Sequence, residues 1–183
     1  LFEPSSGTAL VGGRSIAHDM GRIQQTMGVC PQHDHLWNDL TAREHLLFYC
    51  RLKGFTGAEA KAMVDGAVAA VNLGSAKDKL VKMYSGGMKR RLSVACSLVG
   101  APALVYMDEP STGLDPASRR KLWELILEGK KGRAIVLTTH SMEEADVLCA
   151  RIGIMARGLM QCLGNAASLK LRFGAGLRLT MFV

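Results

Sequence analysis

The sequence predicts an α/β fold, with a mostly parallel sheet and an inserted helical segment. Three observations predict it. Short apolar runs at 27–30, 103–107 and 133–139 each end in polar or charged residues, as the strands of a covered parallel sheet do. Helical stretches with apolar residues at 3.6 spacing lie between these runs. In the longest interval, about 33–100, every predicted element is a helix.

The 183 residues suit one domain, and a chain of that length buries about 70% of its unfolded surface. Hydrophobic residues make up 48% and aromatics 5%, so the core is aliphatic. The net charge of +7 permits contact with nucleic acid or anionic lipid, but phosphate ligands explain it equally well. The basic residues are spread along the chain without the aromatic interleaving of RNA-binding runs, so nucleic acid is not an expected partner. Five cysteines at wide spacing, with no CxxC, are expected as reduced thiols of a cytosolic domain. The opening residues do not read as a signal peptide. The longest uncharged stretch, 92–107, is interrupted by Pro102 and is too short to span a bilayer.

In chain order, Pro4–Gly7 reads as a turn and Thr8–Val11 as a short strand. Met27–Cys30 is a second apolar strand, followed by Pro31 and Gln32. Cys30, His33, Asp34 and His35 are loosely ligand-like in spacing but have no second pair, and read as an exposed loop. Thr41–Lys53 is a helix whose Thr41 and Glu44 form a capping box, with Leu46, Leu47, Tyr49 and Cys50 on its apolar side and Gly54 ending it. Ala58–Asn72 is a second, Ala-rich helix.

Ser85 is an N-cap for the next helix. Gly86 and Gly87 leave its first turn bare, so backbone N–H groups and the positive end of the helix dipole can meet an anion. Met88, Leu92, Ala95 and Leu98/Val99 make its apolar stripe, with Lys89, Arg90 and Arg91 beside it. A capped amphipathic helix with a solvated basic face would show the same residues. Ala103–Met107 is a buried strand after the Pro102 break, and it ends in Asp108-Glu109-Pro110. Ligands of open α/β sheets bind at that end of a parallel strand. An Asp there can hold Mg²⁺, and the Glu one residue on can polarise a water. Ser111-Thr-Gly-Leu-Asp115-Pro116 follows, and Pro116–Lys130 is an amphipathic helix with Leu122, Leu125 and Ile126 inward and Pro in its first turn. Arg133–Thr139 is a third buried strand with His140 at its end. Ser141 caps a helix to Cys149, with Glu144 three residues on. A β-hairpin (151–156 and 158–162), a short helix (166–172) and a last strand (177–183) complete the chain.

Tyr84-Ser-Gly-Gly-Met88, Met107-Asp-Glu-Pro110 and Ser111-Thr-Gly-Leu-Asp-Pro116 closely resemble the signature, Walker B and D-loop of ABC-transporter nucleotide-binding domains, and most of all the plant-type members of the A subfamily. Met88 stands where many members have Gln, and Tyr84 where many have Leu. The resemblance runs from about Ser5 to the end. It implies a P-loop NTPase-type, RecA-like core (1–32 and 101–183), a helical signature subdomain (about 33–100), and ATP with Mg²⁺ as ligands. Two such domains would pack head to tail, docked on transmembrane partners at the cytosolic face of a membrane. One face would supply Asp108 and Gln32 to Mg²⁺, Glu109 to polarise the water and His140 to the γ-phosphate. The other would supply Ser85, Gly86, Gly87, Met88, Ser111 and Asp115. Closure on ATP would drive transport, and the A-subfamily likeness implies a lipid or amphipathic cargo.

The sharpest departure is that no GxxxxGK[ST] occurs in the 183 residues, and the adenine-stacking aromatic of the family is missing too. Losing only ~4 kcal/mol of such contacts weakens binding about a thousandfold. ATP is therefore expected to be held poorly by these residues alone, and the chain is expected to be part of a larger protein. Two other functions compete: a soluble non-transport ATPase of the same superfamily, and a domain that only lends its signature face or scaffolds. Chromosome-maintenance and DNA-repair ATPases share the motifs, but between Gln32 and Ser85 there is no heptad repeat of their coiled-coil kind.

Overall fold

A computed structural model describes residues 4–174. The chain divides into two compact units, one up to Thr138 and one from Thr139 onward. The division falls after the third parallel strand and not around the helical insert. The expected strand at 177–183 lies outside the described residues.

In the first unit, β1 (Leu10–Val11) and β2 (Arg14–Ser15) form a small antiparallel pair. Gly12 and Gly13 turn it with φ of +55° and +77°, a region that only glycine enters freely. The helix α1 (Met20–Thr26) has no counterpart in the sequence reading. Its seven residues bury Ile23 alone, so no apolar period marks it.

The core sheet holds β3 (Met27–Cys30), β4 (Leu104–Asp108) and β5 (Ala134–Thr138), all parallel and in that order. Between β3 and β4 come α2 (Ala42–Leu52), α3 (Gly57–Ala70) and α4 (Gly86–Leu98). α5 (Pro116–Gly129) joins β4 to β5. The sheet was expected to be covered on both faces. One face is, through Cys30, Val105 and Met107. On the other, the register partners Val29, Tyr106 and Val136 stand 54%, 39% and 49% exposed.

α4 covers the buried face closely. A Cβ on Gly28 would lie 1.9 Å from the Ser97 carbonyl oxygen, so the helix backbone touches β3 where no side chain fits. Overpacking such a contact costs about 1–3 kcal/mol or more. Gly28→Ala is therefore expected to lower the free energy of unfolding by about that amount, read as a lower midpoint of chemical denaturation. An unchanged midpoint would show that α4 and β3 do not approach in this way.

The helical insert forms as its pattern predicts. Thr41 caps α2, accepting from the Glu44 N–H at 3.2 Å, while the Glu44 carboxylate accepts from the Thr41 N–H at 2.7 Å. α2 also buries His45, a residue outside the predicted apolar side. Its Nε2 accepts from the Trp37 N–H at 2.9 Å and its Nδ1 donates to the Thr41 carbonyl at 2.8 Å. A backbone N–H can only donate, so the ring is the neutral Nδ1–H tautomer. Burial lowers the His45 pKa, against the upward pull of the Thr41 bond and Glu44.

The unfolded chain therefore takes up the proton first as pH falls. Stability from this site is complete above about pH 6.5 and is lost below it, down to the folded-state pKa. Denaturation midpoints are expected to fall between pH 7.5 and 5.5. His45→Gln should flatten that slope, and an equal slope in the variant would remove His45 as its cause.

In the second unit, α6 (Met142–Leu148) is capped by Ser141, whose hydroxyl accepts from the Glu144 N–H at 3.3 Å. The antiparallel hairpin β6 (Ile152–Ala156) and β7 (Leu159–Gly164) leads to α7 (Ala166–Phe173). Among the described residues, no helix is long and apolar enough to cross a membrane.

Candidate functional site

The C-terminal ends of β3 and β4 bring Gln32, Asp108 and Glu109 together. Gln32 Nε2 donates to Glu109 Oε2 at 3.3 Å, across 77 residues of chain. Thr112 Oγ1 donates to the same oxygen at 2.9 Å. Asp108 Oδ1 accepts from Thr138 Oγ1 at the end of β5. The Glu109 N–H closes the group by donating to Thr138, to its carbonyl and its hydroxyl, both at 3.1 Å. Glu109 itself has φ +43°, a left-handed backbone that is uncommon for a side-chain-bearing residue and costs of order 1–3 kcal/mol. The surrounding bonds hold it there, turning its carboxylate to Gln32 and Thr112 and away from the line of the strand. Thr112 and Thr138 are the anchors that sequence reasoning did not single out. Each is an ordinary residue until the fold brings it to a carboxylate.

The start of α4 forms as read. Ser85 Oγ accepts from the Met88 N–H at 3.3 Å, and the Ser85 carbonyl accepts from the Lys89 N–H at 3.0 Å. The Gly86 and Gly87 N–H groups belong to the first turn, which has no intrahelical acceptors. Nothing stands within 4 Å of a Cβ at Gly86, so a ligand can reach the backbone. A Cβ at Gly87 would meet Ser118 Oγ at 2.9 Å, which ties this turn to the start of α5. Tyr84 is buried behind the turn, its hydroxyl donating to the Ala76 carbonyl at 2.7 Å.

Asp115 caps α5, accepting from the Ala117 and Ser118 N–H groups at 3.1 and 3.0 Å. Its hydrogen bonds from Ser118 hold its carboxyl below the usual range. Ser111 is only 6% exposed, inside the turn. His140 stands in the second unit, one residue before the Ser141 cap.

The basic run on α4 departs from expectation. Arg90 is 4% exposed, not part of a solvated face. Nε donates to the Pro110 carbonyl at 2.6 Å. Nη1 donates to the Pro31 and Gln32 carbonyls at 2.6 and 3.2 Å and to Asp34 Oδ1 at 3.1 Å. Nη2 donates to the Asp108 and Glu109 carbonyls at 3.0 and 3.3 Å. These carbonyls lie at and just past the strand ends, and a permanently charged guanidinium supplies five donors to meet them. Arg91 does the same for the end of α3, donating to the Val71 and Asn72 carbonyls at 2.7 and 3.2 Å. Asp34, read as part of an exposed loop, is drawn in by Arg90. The signal for this is not local, because every acceptor of Arg90 comes from a segment at least 18 residues away.

The donor set fits a magnesium nucleotide. Mg²⁺ takes one or two carboxylates and completes its shell with water and substrate phosphates. Asp108 and Glu109 offer two carboxylates and Gln32 an amide beside them, while the bare start of α4 offers a separate anion site. Among the described residues, no three His, Cys, Asp or Glu side chains gather into a metal cage of their own.

A family model for the ABC transporter matches residues 1–112. The chain belongs to the ABC transporter family. The relatives place it as an A-subfamily nucleotide-binding domain. ABC transporter A family member 7 of Arabidopsis thaliana is 58% identical over 183 residues, and A family member 8 of the same plant is 57% identical. Each match covers 99% of this chain and 20% of the relative, so the chain spans about a fifth of those proteins' length. A solved structure of the ATP binding subunit of ABC transporter superposes with a TM-score of 0.80 at 27% identity, covering 94% of this chain and 72% of that one. The parallel-sheet core expected from the sequence is thus the fold of this family of ATP-binding domains.

Proposed function

We propose that these residues form most of the ATP-hydrolysing engine of a transporter, working as one half of a head-to-tail pair. The observation that carries this reading is the Gln32–Glu109 contact at 3.3 Å, with Thr112 holding the same carboxylate at 2.9 Å. Glu109 is thereby aimed from a constrained backbone at a point beside Asp108, where a general base for water belongs. Bound Mg²⁺ supplies charge neutralisation to the phosphates. Asp108, steadied by Thr138, would hold the ion with Gln32, and Glu109 would take the proton of the attacking water. His140 would donate to the γ-phosphate. Phosphoryl transfer depends mainly on such positioning.

Ser85, Gly86, Gly87, Met88, Ser111 and Asp115 would face the nucleotide held by the partner domain. Closure of the pair on ATP would move transmembrane partners, and reopening after hydrolysis would reset them. The P-loop contacts that ATP needs are not among these residues, so 1–183 alone is expected to hydrolyse none. The A-family likeness suggests a lipid or amphipathic cargo at the cytosolic face of a membrane. Reconstitution of the intact protein in liposomes tests this through ATP-driven movement of a fluorescent phospholipid between leaflets. Movement that needs ATP and stops in Glu109→Gln supports the reading. Residence of the intact protein in the soluble fraction of its native cells, tracked by an antibody to 84–116, would contradict it.

A further inference from the structure

Arg90 joins the helix that starts at Ser85 to the loops that carry Gln32, Asp108 and Glu109. It sits on α4, five residues after the Ser85 cap. Its guanidinium reaches the carbonyls of Pro31 and Gln32 on one side, and those of Asp108, Glu109 and Pro110 on the other. In the proposed pair, the start of α4 serves one nucleotide, while Gln32, Asp108 and Glu109 serve the other. We infer that Arg90 is a positioning residue that locks the signature helix to the hydrolytic loops, so that occupancy of one nucleotide site sets the geometry of the second.

This rests on the function proposed above, because only a head-to-tail pair gives the two faces different nucleotides. The side chain suits the task. All three of its nitrogens donate, and five of the six bonds end on the backbone carbonyls of Pro31, Gln32, Asp108, Glu109 and Pro110. A shift of α4 is therefore passed to those carbonyls through the buried Arg90 side chain alone, with no second side chain between. Asp34, paired with Arg90 at 3.1 Å, fixes the outer edge of the guanidinium. Lysine keeps the charge, but it has three donors on one nitrogen and cannot span both loops.

The test compares wild type with Arg90→Lys in the intact protein, reading ATP turnover, ATP affinity and amide exchange together. A misplacement of reacting groups by about 1 Å costs on the order of a hundredfold in rate. Turnover is expected to fall about tenfold to a hundredfold, with ATP affinity within about twofold and the Hill coefficient for ATP falling toward one. Exchange should rise together at 32–35 and 108–112 and stay unchanged in α2 and α3. Full turnover and cooperativity in Arg90→Lys, or exchange rising at one loop alone, would overturn the inference.

If Arg90→Lys fails to fold, Asp34→Ala carries the same test. It should raise exchange at 32–35 and, through Arg90, at 108–112, and a rise confined to 32–35 overturns the lock. If wild type hydrolyses no ATP, the proposed function fails, while the exchange measurement still decides whether Arg90 ties the loops.

Discussion

Replacing Glu109 by glutamine in the intact protein is expected to cut ATP turnover by about 10²–10⁴-fold while leaving ATP binding intact. The substitution changes little else. Glutamine has the same Cβ and the same length, so the left-handed backbone at φ +43° is no more strained than before. Its amide oxygen can still accept from Thr112 Oγ1. What disappears is a carboxylate that can take a proton, along with the charge that Gln32 Nε2 meets at 3.3 Å. ATP affinity, measured by equilibrium binding, is expected to stay within about threefold, because the group acts on the water and not on the nucleotide. Near-wild-type turnover in Glu109→Gln would take the role of base away from this residue.

The second large effect belongs to the start of α4. Gly87→Asp is expected to abolish ATP-driven closure and hydrolysis. The fold itself should tolerate it. An acidic residue in the first turn of a helix is favourable by about 0.3–1 kcal/mol, and the nearest obstacle to the new Cβ is the Ser118 hydroxyl at 2.9 Å, which can rotate away at the loss of its hydrogen bond to Asp115. The damage falls on function, because a carboxylate then stands where backbone N–H groups would meet a phosphate. Light scattering or crosslinking of the purified protein with ATP reads the closure, and a thermal melt checks the fold. Normal closure in Gly87→Asp, with an unchanged melt, would mean that α4 does not face a nucleotide.

The two large predictions rest on residues that the sequence itself exposes. Ser85-Gly86-Gly87 and Asp108-Glu109 are contiguous, each beside an apolar run that names its element, so their places at a helix start and a strand end were legible, while the roles given to them come from the family resemblance. The strands at 27–30, 104–108 and 134–138 and the capping box at Thr41 and Glu44 were legible for the same reason. Arg90 was not. In a run of three basic residues beside an apolar stripe, an arginine looks solvated. Its burial follows from carbonyls delivered by the ends of two strands, and no local pattern carries that information. Thr112 and Thr138 were hidden in the same way, and His45 was hidden because its partners are backbone groups. The exposed face carrying Val29, Tyr106 and Val136 reads in sequence as an ordinary buried strand, since apolarity alone does not say which side is covered.

The most direct test of the account is the release of phosphate from ATP by the purified intact protein, wild type beside Glu109→Gln, with Mg²⁺ and with the metal chelated. Wild type is expected to release phosphate steadily with Mg²⁺ and none after chelation, and the variant to lose at least about a hundredfold with ATP still bound. Equal release by both proteins, or no release by wild type under conditions where ATP binds, would contradict the assignment of Gln32, Asp108 and Glu109 as a hydrolytic face.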